Sequence, residues 1–259
     1  MIRDLVRRGA TWARDYLDAA RGQLRAFVRR TTPFDVPPSA GAATVVLLPG
    51  VWEPWRYLEP LARRLRARGL GVRAVPSLGW NLAPFVDAVP LVRAAIDDLD
   101  GDVVLVAHSK GGLIGKRVLV DWAHDAIAGR TPAGVRLVGL VAVATPFGGS
   151  ARARLLPWWR SLAELRDDSP ALQELAAETE ANARIVELVP SWDPHVPAHP
   201  PLVGSQVVRL RAAGHFSSLE SAEVLTEALA AIDRLRARRA CALPSAGDAS
   251  RRRSGGAEG

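Results

Sequence analysis

The stretch Val103-Val104-Leu105-Val106-Ala107-His108-Ser109-Lys110-Gly111-Gly112 runs from a continuous apolar segment into a serine flanked by small residues. A hydroxyl is a weak nucleophile at its ordinary pKa and needs an adjacent base to activate it. The pattern G-x-S-x-G places its serine on a sharp turn between a buried strand and a helix, so that the hydroxyl stands clear of the backbone. Here Ala107 fills the first glycine position, one methyl larger, and Gly111 fills the last. Gly112 would let the helix pack tightly. A serine that only caps a helix is the plainer alternative.

Activation requires a base, and a carboxylate must orient that base. Five histidines are available. His108 precedes Ser109, so its side chain should point away from that of its neighbour. His124 lies toward the end of a helix. His195 and His199 sit in a proline-rich loop, and His215 follows a short strand. Among the carboxylates, Asp193 in Ser191-Trp192-Asp193-Pro194 follows the apolar run 185–189, at the carboxyl end of a strand, where ligands bind in open α/β sheets. Asp-Pro also favours turns, so Asp193 could be only a turn former. Asp121 and Asp125 lie too far along the helix after Ser109, and Asp167 and Asp168 look solvent-facing.

Taken in order, Leu47-Leu48-Pro49-Gly50-Val51, Ala107-His108-Ser109-Lys110-Gly111-Gly112, Ala144-Thr145-Pro146-Phe147-Gly148-Gly149-Ser150, Trp192-Asp193 and Gly214-His215-Phe216 resemble the bacterial lipases and esterases of the α/β-hydrolase superfamily. The resemblance covers about residues 44–235. It implies Ser109 as nucleophile, His215 as base and Asp193 as acid, in the chain order of that fold. It also implies an oxyanion hole of two backbone N–H groups, from Lys110 after the nucleophile and from Val51 after the first strand, with Trp52 the lesser choice. The family often has His-Gly where this chain has Pro49-Gly50. The Lys110 side chain reads as solvated.

The elements that must position these groups alternate. Strands are predicted at 44–48, 71–75, 103–107, 137–144, 185–189 and 206–210, and helices at 54–68, 85–99, 111–126 and 218–235. That alternation predicts an α/β fold, a mostly parallel central sheet with helices on both faces. The pattern breaks over 145–182, read as a lid or cap insertion over the carboxyl edge of the sheet. Trp52, Trp55, Trp158 and Trp159 are candidate substrate-binding residues, since aromatic rings offer large apolar contact area. Trp80 and Trp192 also fall where loops should gather.

Residues 1–30 read as an amphipathic basic helix, with eight arginines against Asp4, Asp15 and Asp18, a balance of +5. Its Ile2, Leu5, Val6, Trp12, Tyr16, Leu17, Leu24, Phe27 and Val28 recur at helical spacing. It could lie on an anionic membrane surface or pack on protein. Residues 31–43 read as a linker, 44–235 as the hydrolase domain and 236–259 as a disordered, arginine-rich tail. The net charge of +7 belongs to the two ends, which argues against a nucleic-acid partner. The single Cys241 excludes an internal disulfide framework. No secretion signal or membrane-spanning run is visible, so the expected location is cytoplasmic, with peripheral membrane contact through residues 1–30. No cofactor or metal is expected: there is no Walker-type loop, and prolines around His195 and His199 forbid a ligating helix. The expected function is hydrolysis of carboxylic esters with apolar, lipid-like acyl groups through an acyl-enzyme. The alternatives are an acyltransferase with the same triad and an inactive lipid-binding or scaffold member of the fold.

Overall fold

Residues 103–107 carry no polar side chain because both faces of their sheet are covered. The computed structural model describes residues 2–28, 32–150, 153, 160–196 and 200–242. In chain order its elements are α1 (Ile2–Val28), β1 (Asp35–Val36), β2 (Thr44–Leu48), α2 (Glu59–Arg66), β3 (Gly71–Ala74), α3 (Phe85–Ile96), β4 (Gly101–His108), α4 (Lys110–Ile127), β5 (Val135–Val143), α5 (Arg160–Ala163), α6 (Pro170–Ala177), β6 (Ile185–Val189), β7 (Gln206–Arg209) and α7 (Ala222–Ala242). Val103, Leu105 and Ala107 of β4 pack with α3 and α4, while Val104 and Val106 pack with α2 and α7. Side chains of a strand alternate between faces, so two covering layers demand an unbroken apolar run.

The sheet has seven strands in the order β1-β3-β2-β4-β5-β6-β7. Strands β2 to β7 are parallel, and only β1 runs antiparallel, beside β3. The chain moves from β2 to β3 on one side and then crosses to β4 on the other. The loops after β2 and β4 therefore diverge at the carboxyl edge, where such a reversal opens a crevice.

Several elements differ from the sequence reading. The segment read as a linker contains β1, whose Asp35 takes a 2.8 Å bond from Arg73. The predicted helix over 54–68 begins as a 3-10 turn, Trp55–Leu58, and α2 starts behind it with Pro60 in its first turn. Proline lacks an N–H and fits there at no cost. The final helix is broken at Ser221, whose hydroxyl accepts the Val224 N–H at 3.1 Å, and then runs on as α7 to Ala242, into the segment read as tail. Residues 243–259 lie outside the described residues. Within 145–182, Leu162, Leu165, Leu172 and Leu175 are buried in the core beside Leu113 and Ile114.

Helix α1 docks by its small side chains. Asp15, Gly22 and Ala26 are buried, and Trp12, Leu17, Leu24, Phe27 and Val28 face outward. Gly22 lies flat on Tyr57: a Cβ there would stand 2.5 Å from Tyr57 Cε2. The helix meets the 3-10 turn Trp55–Leu58 and a second one, Ser217–Glu220, at the carboxyl edge of the sheet. Gln23 donates to the Trp52 carbonyl at 2.6 Å, and Arg25 pairs with Glu220. Overpacking a close contact of this kind costs about 1–3 kcal/mol. Gly22→Leu is therefore expected to speed hydrogen exchange across 8–28 while β4 and β5 stay protected. Unchanged exchange in α1 would show that the helix is held elsewhere.

Candidate active site

Strand β4 delivers Ser109 to the carboxyl edge in a backbone conformation that glycine usually occupies, φ 51° and ψ −123°. Its N–H bonds the Val143 carbonyl at 2.9 Å, and its own carbonyl accepts the Gly112 N–H at 3.0 Å. The two glycines that follow are sterically required. A Cβ on Gly111 would stand 2.3 Å from the Leu48 carbonyl oxygen, and one on Gly112 would stand 2.0 Å from Thr145 Oγ1. Ala107 is tolerated in place of the usual glycine because its methyl points into the α3 and α4 layer.

His215 comes from the loop between β7 and the turn Ser217–Glu220. Its Nδ1 lies 2.7 Å from Asp193 Oδ2. Asp193 Oδ1 accepts the backbone N–H groups of His195 at 2.7 Å and Val196 at 2.9 Å. Burial alone would raise the Asp193 pKa, but the His215 charge and these hydrogen bonds outweigh it and hold the carboxyl below its usual range. A carboxylate on Nδ1 fixes that proton and leaves Nε2 as the basic atom. Gly214, at φ 103°, donates to the Trp192 carbonyl at 2.8 Å, so the His215 loop is tied to the Asp193 loop through backbone as well.

Ser109 and His215 line one cavity of about 400 Å³. Its walls include Val51 and Trp52 after β2, Pro146 after β5, Leu162 and Leu165, and Phe216. Two wall residues, Tyr16 and Ala19, belong to α1. The helix outside the family resemblance thus forms part of the pocket. It also braces the His215 loop: buried Asp15 Oδ1 accepts the N–H groups of Phe216 at 2.8 Å and Ser217 at 2.9 Å. His195, set aside with its proline-rich loop in the sequence, lines the cavity with its ring centroid 5.2 Å from that of His215.

Other candidates fall elsewhere. Trp55 is buried edge-on against Phe34 and is not among the cavity-lining residues. Trp80 is exposed, and Trp192 lines a separate hollow behind Asp193. Trp158, Trp159 and His199 lie outside the described residues. The Lys110 side chain, read as solvated, is fully buried. The first turn of α4 runs beneath the segment 81–85, and the ammonium is met there by Glu164 Oε1 at 2.7 Å and by the Ala83 carbonyl. Burial lowers the Lys110 pKa and raises that of Glu164, each against the pull of the other's charge.

The His108 ring lies beside that of His215, their centroids 4.8 Å apart. Both Glu53 carboxylate oxygens lie 2.9 Å from its Nδ1, and its Nε2 lies 3.1 Å from the His215 carbonyl. Glu53 and His108 carry no signal in the motif. Asp15 did carry one: with Ala19, Gly22 and Ala26 it makes a helical face of small residues opposite the apolar stripe. Among the described residues no group of three or more His, Cys, Asp or Glu could hold a metal, and no helix is long and apolar enough to cross a membrane.

No family model and no curated sequence matches this chain. Solved structures do. The mature lipase BlEst2 of Bacillus licheniformis aligns over 78% of this chain and 96% of its own, at 14% identity and a TM-score of 0.56. The metagenomic carboxyl esterase MGS0156 aligns over 79% and 80%, at 17% identity and TM-score 0.54. The monoacylglycerol lipase of Paleococcus ferrophilus aligns over 79% and 96%, at 16% identity and TM-score 0.52. The chain has the α/β-hydrolase fold. Ser109 occupies the strand-to-helix turn after β4, the strand between β2 and β5.

The depressed Asp193 pKa has a defined consequence for stability. A carboxyl whose folded pKa lies below its unfolded value contributes stability above the unfolded pKa and loses it as pH falls through the folded one. Melting temperature is expected to fall as pH drops through and below the ordinary aspartate range, and Asp193→Asn should flatten that slope relative to the wild type. Parallel slopes for the two proteins would show that Asp193 is not held by His215.

Proposed function

We propose that this protein is a serine hydrolase that cleaves carboxylic esters with apolar acyl groups. The observation that carries the reading is the 2.7 Å bond between His215 Nδ1 and Asp193, with Ser109 on a strained turn in the same apolar-walled cavity. The similarity in fold to lipases and esterases supports it. In the first step His215 Nε2 takes the Ser109 proton as Oγ attacks the ester carbonyl. The carbonyl π pair moves onto oxygen, and the backbone N–H groups of Val51 and Lys110 hold that charge. The protonated His215 then gives its proton to the departing alkoxide as the C–O bond breaks, leaving Ser109 acylated. Water, deprotonated by the same imidazole, releases the acid and restores the hydroxyl. Asp193 keeps the imidazolium oriented and stabilised throughout.

An acyl chain would lie along Leu162, Leu165, Pro146 and Trp52. Trp158 and Trp159 remain candidates for the same role, and the segment 145–182 for a cap over it. Lys110 acts in this scheme only by its N–H, because its side chain is engaged with Glu164.

The reading extends to location. Helix α1 turns Phe27, 78% exposed, and Leu24, 64% exposed, away from the domain, and the same helix carries the exposed Arg14 and Arg21, both paired with Asp18. An apolar arc bordered by arginines suits the surface of an anionic bilayer. A cytoplasmic protein held peripherally at a membrane would meet lipid-like esters there.

Ser109→Ala is expected to abolish both p-nitrophenyl ester turnover and labelling by a fluorophosphonate, and the wild type should prefer longer acyl chains over acetate. A wild type that neither labels nor turns over any ester would remove the hydrolase reading. For the membrane contact, Leu24→Ser/Phe27→Ser should weaken binding to vesicles containing phosphatidylserine by about tenfold or more, since each buried apolar side chain contributes on the order of 1.5–3 kcal/mol. Equal binding of variant and wild type in a co-sedimentation assay would exclude this face of α1.

A further inference from the structure

We propose that the buried pair Glu53–His108 is a positioning device that sets the base loop and the oxyanion loop with one linked contact. The inference rests on the reading of Ser109, His215 and Asp193 as a hydrolytic triad. Neither residue of the pair would touch reacting atoms in that scheme. Both act through backbone groups of residues that do, or of their neighbours.

The protons can be assigned from the partners. The His215 carbonyl only accepts, so His108 Nε2, 3.1 Å away, carries a hydrogen. Nδ1 faces both Glu53 oxygens at 2.9 Å. Glu53 Oε2 also accepts the Gly50 N–H at 2.7 Å, and the Glu53 N–H returns to the Gly50 carbonyl at 3.3 Å. With an acceptor opposite each ring nitrogen, His108 is set to carry a hydrogen on both. Burial pulls the His108 pKa down, but the Glu53 charge and the bonds to Glu53 and to the His215 carbonyl raise it above the ordinary value. Asp193 acts on His108 in the same direction.

The chain of contacts is therefore continuous: Gly50 N–H, Glu53, His108, His215 carbonyl. Gly50 adjoins Val51, the proposed oxyanion donor. There is no slack at that end, since a Cβ on Gly50 would stand 3.0 Å from Glu53 Oε2 and 3.1 Å from Ser109 Cβ. His108 is 0% exposed and Glu53 1%. A buried ion pair is often no more stabilising than well-packed apolar side chains of the same volume. Every other residue of β4 from Val103 onward is apolar. A phenylalanine or leucine would suit the layer at position 108, so the pair is better explained by what it holds than by stability.

The test uses soluble p-nitrophenyl esters, fluorophosphonate labelling and thermal melting on the full chain. Three variants are compared with the wild type: H108N, E53Q and the double variant E53Q/H108N. Asparagine keeps a donor for Glu53 but cannot reach the His215 carbonyl. Glutamine at 53 offers its oxygen to Gly50 and its amide to His108, removing the charge and keeping the bonds. Misplacing catalytic groups by about 1 Å costs on the order of 10²-fold in rate. H108N is expected to lose kcat and labelling rate on that order, with KM changed by less than about threefold. Its melting temperature should also fall. In E53Q/H108N, where no buried charge remains, the melting temperature should recover and kcat should not. Should H108N fail to fold, the double variant is compared with E53Q, and the same loss of kcat is expected.

Recovery of kcat together with melting temperature would reduce His108 to a structural residue and overturn the proposal. So would H108N with kcat within about threefold of the wild type. A wild type without turnover or labelling would instead defeat the hydrolase reading, and this inference with it.

Discussion

The first turn of α4 passes so close to the end of β2 that nothing larger than glycine fits between them. Gly111 faces the Leu48 carbonyl and Gly112 faces Thr145. To enter a helix at that spot, the chain must reverse at Ser109 in a positive-φ conformation. A non-glycine residue held there costs about 1–3 kcal/mol and persists only where its surroundings impose it. The surroundings are the parallel ladder of β4 with β2 and β5, both of which end at this edge. The same approach sets the loop after β2 beside the Ser109 hydroxyl.

Around that fixed point the His215 loop is anchored from several directions. Asp193 holds the His215 ring, and the Trp192 carbonyl holds Gly214. His108 reaches the His215 carbonyl from beneath, and Asp15 caps the next two N–H groups from α1. Each anchor is a charged or backbone group removed from water. Such groups are costly when unpaired and rigid when paired. The loop is thus held by polar contacts whose geometry is directional, which apolar packing alone would not supply.

Helix α1 changes the boundary of the functional unit. Its buried face is made of Asp15, Gly22 and Ala26, and Trp12, Leu17, Leu24, Phe27 and Val28 point outward. Close backbone approach explains this arrangement, because small residues let α1 lie on the Tyr57 ring and bring Tyr16 and Ala19 to the cavity. The pocket is therefore assembled from the α/β domain and a segment that the motif pattern leaves out.

Local pattern was enough to read the alternation of strands and helices, the two-sided burial of β4, and Ser109, Asp193 and His215 as candidates. These follow from short-range rules: side-chain periodicity, the glycines after a serine, and chain order along a parallel sheet. The same rules misjudged Lys110. A lysine defaults to solvent in sequence, and only the fold brings Glu164 to its ammonium. They also missed Glu53 beneath His108 and Asp15 beneath Phe216, pairs separated by 55 and 201 residues. Sequence periodicity decides which face of an element is buried. Which polar group meets which across the sheet depends on how loops from β2, β4 and β7 and the helix α1 converge on one edge, and that is settled only when the chain is packed.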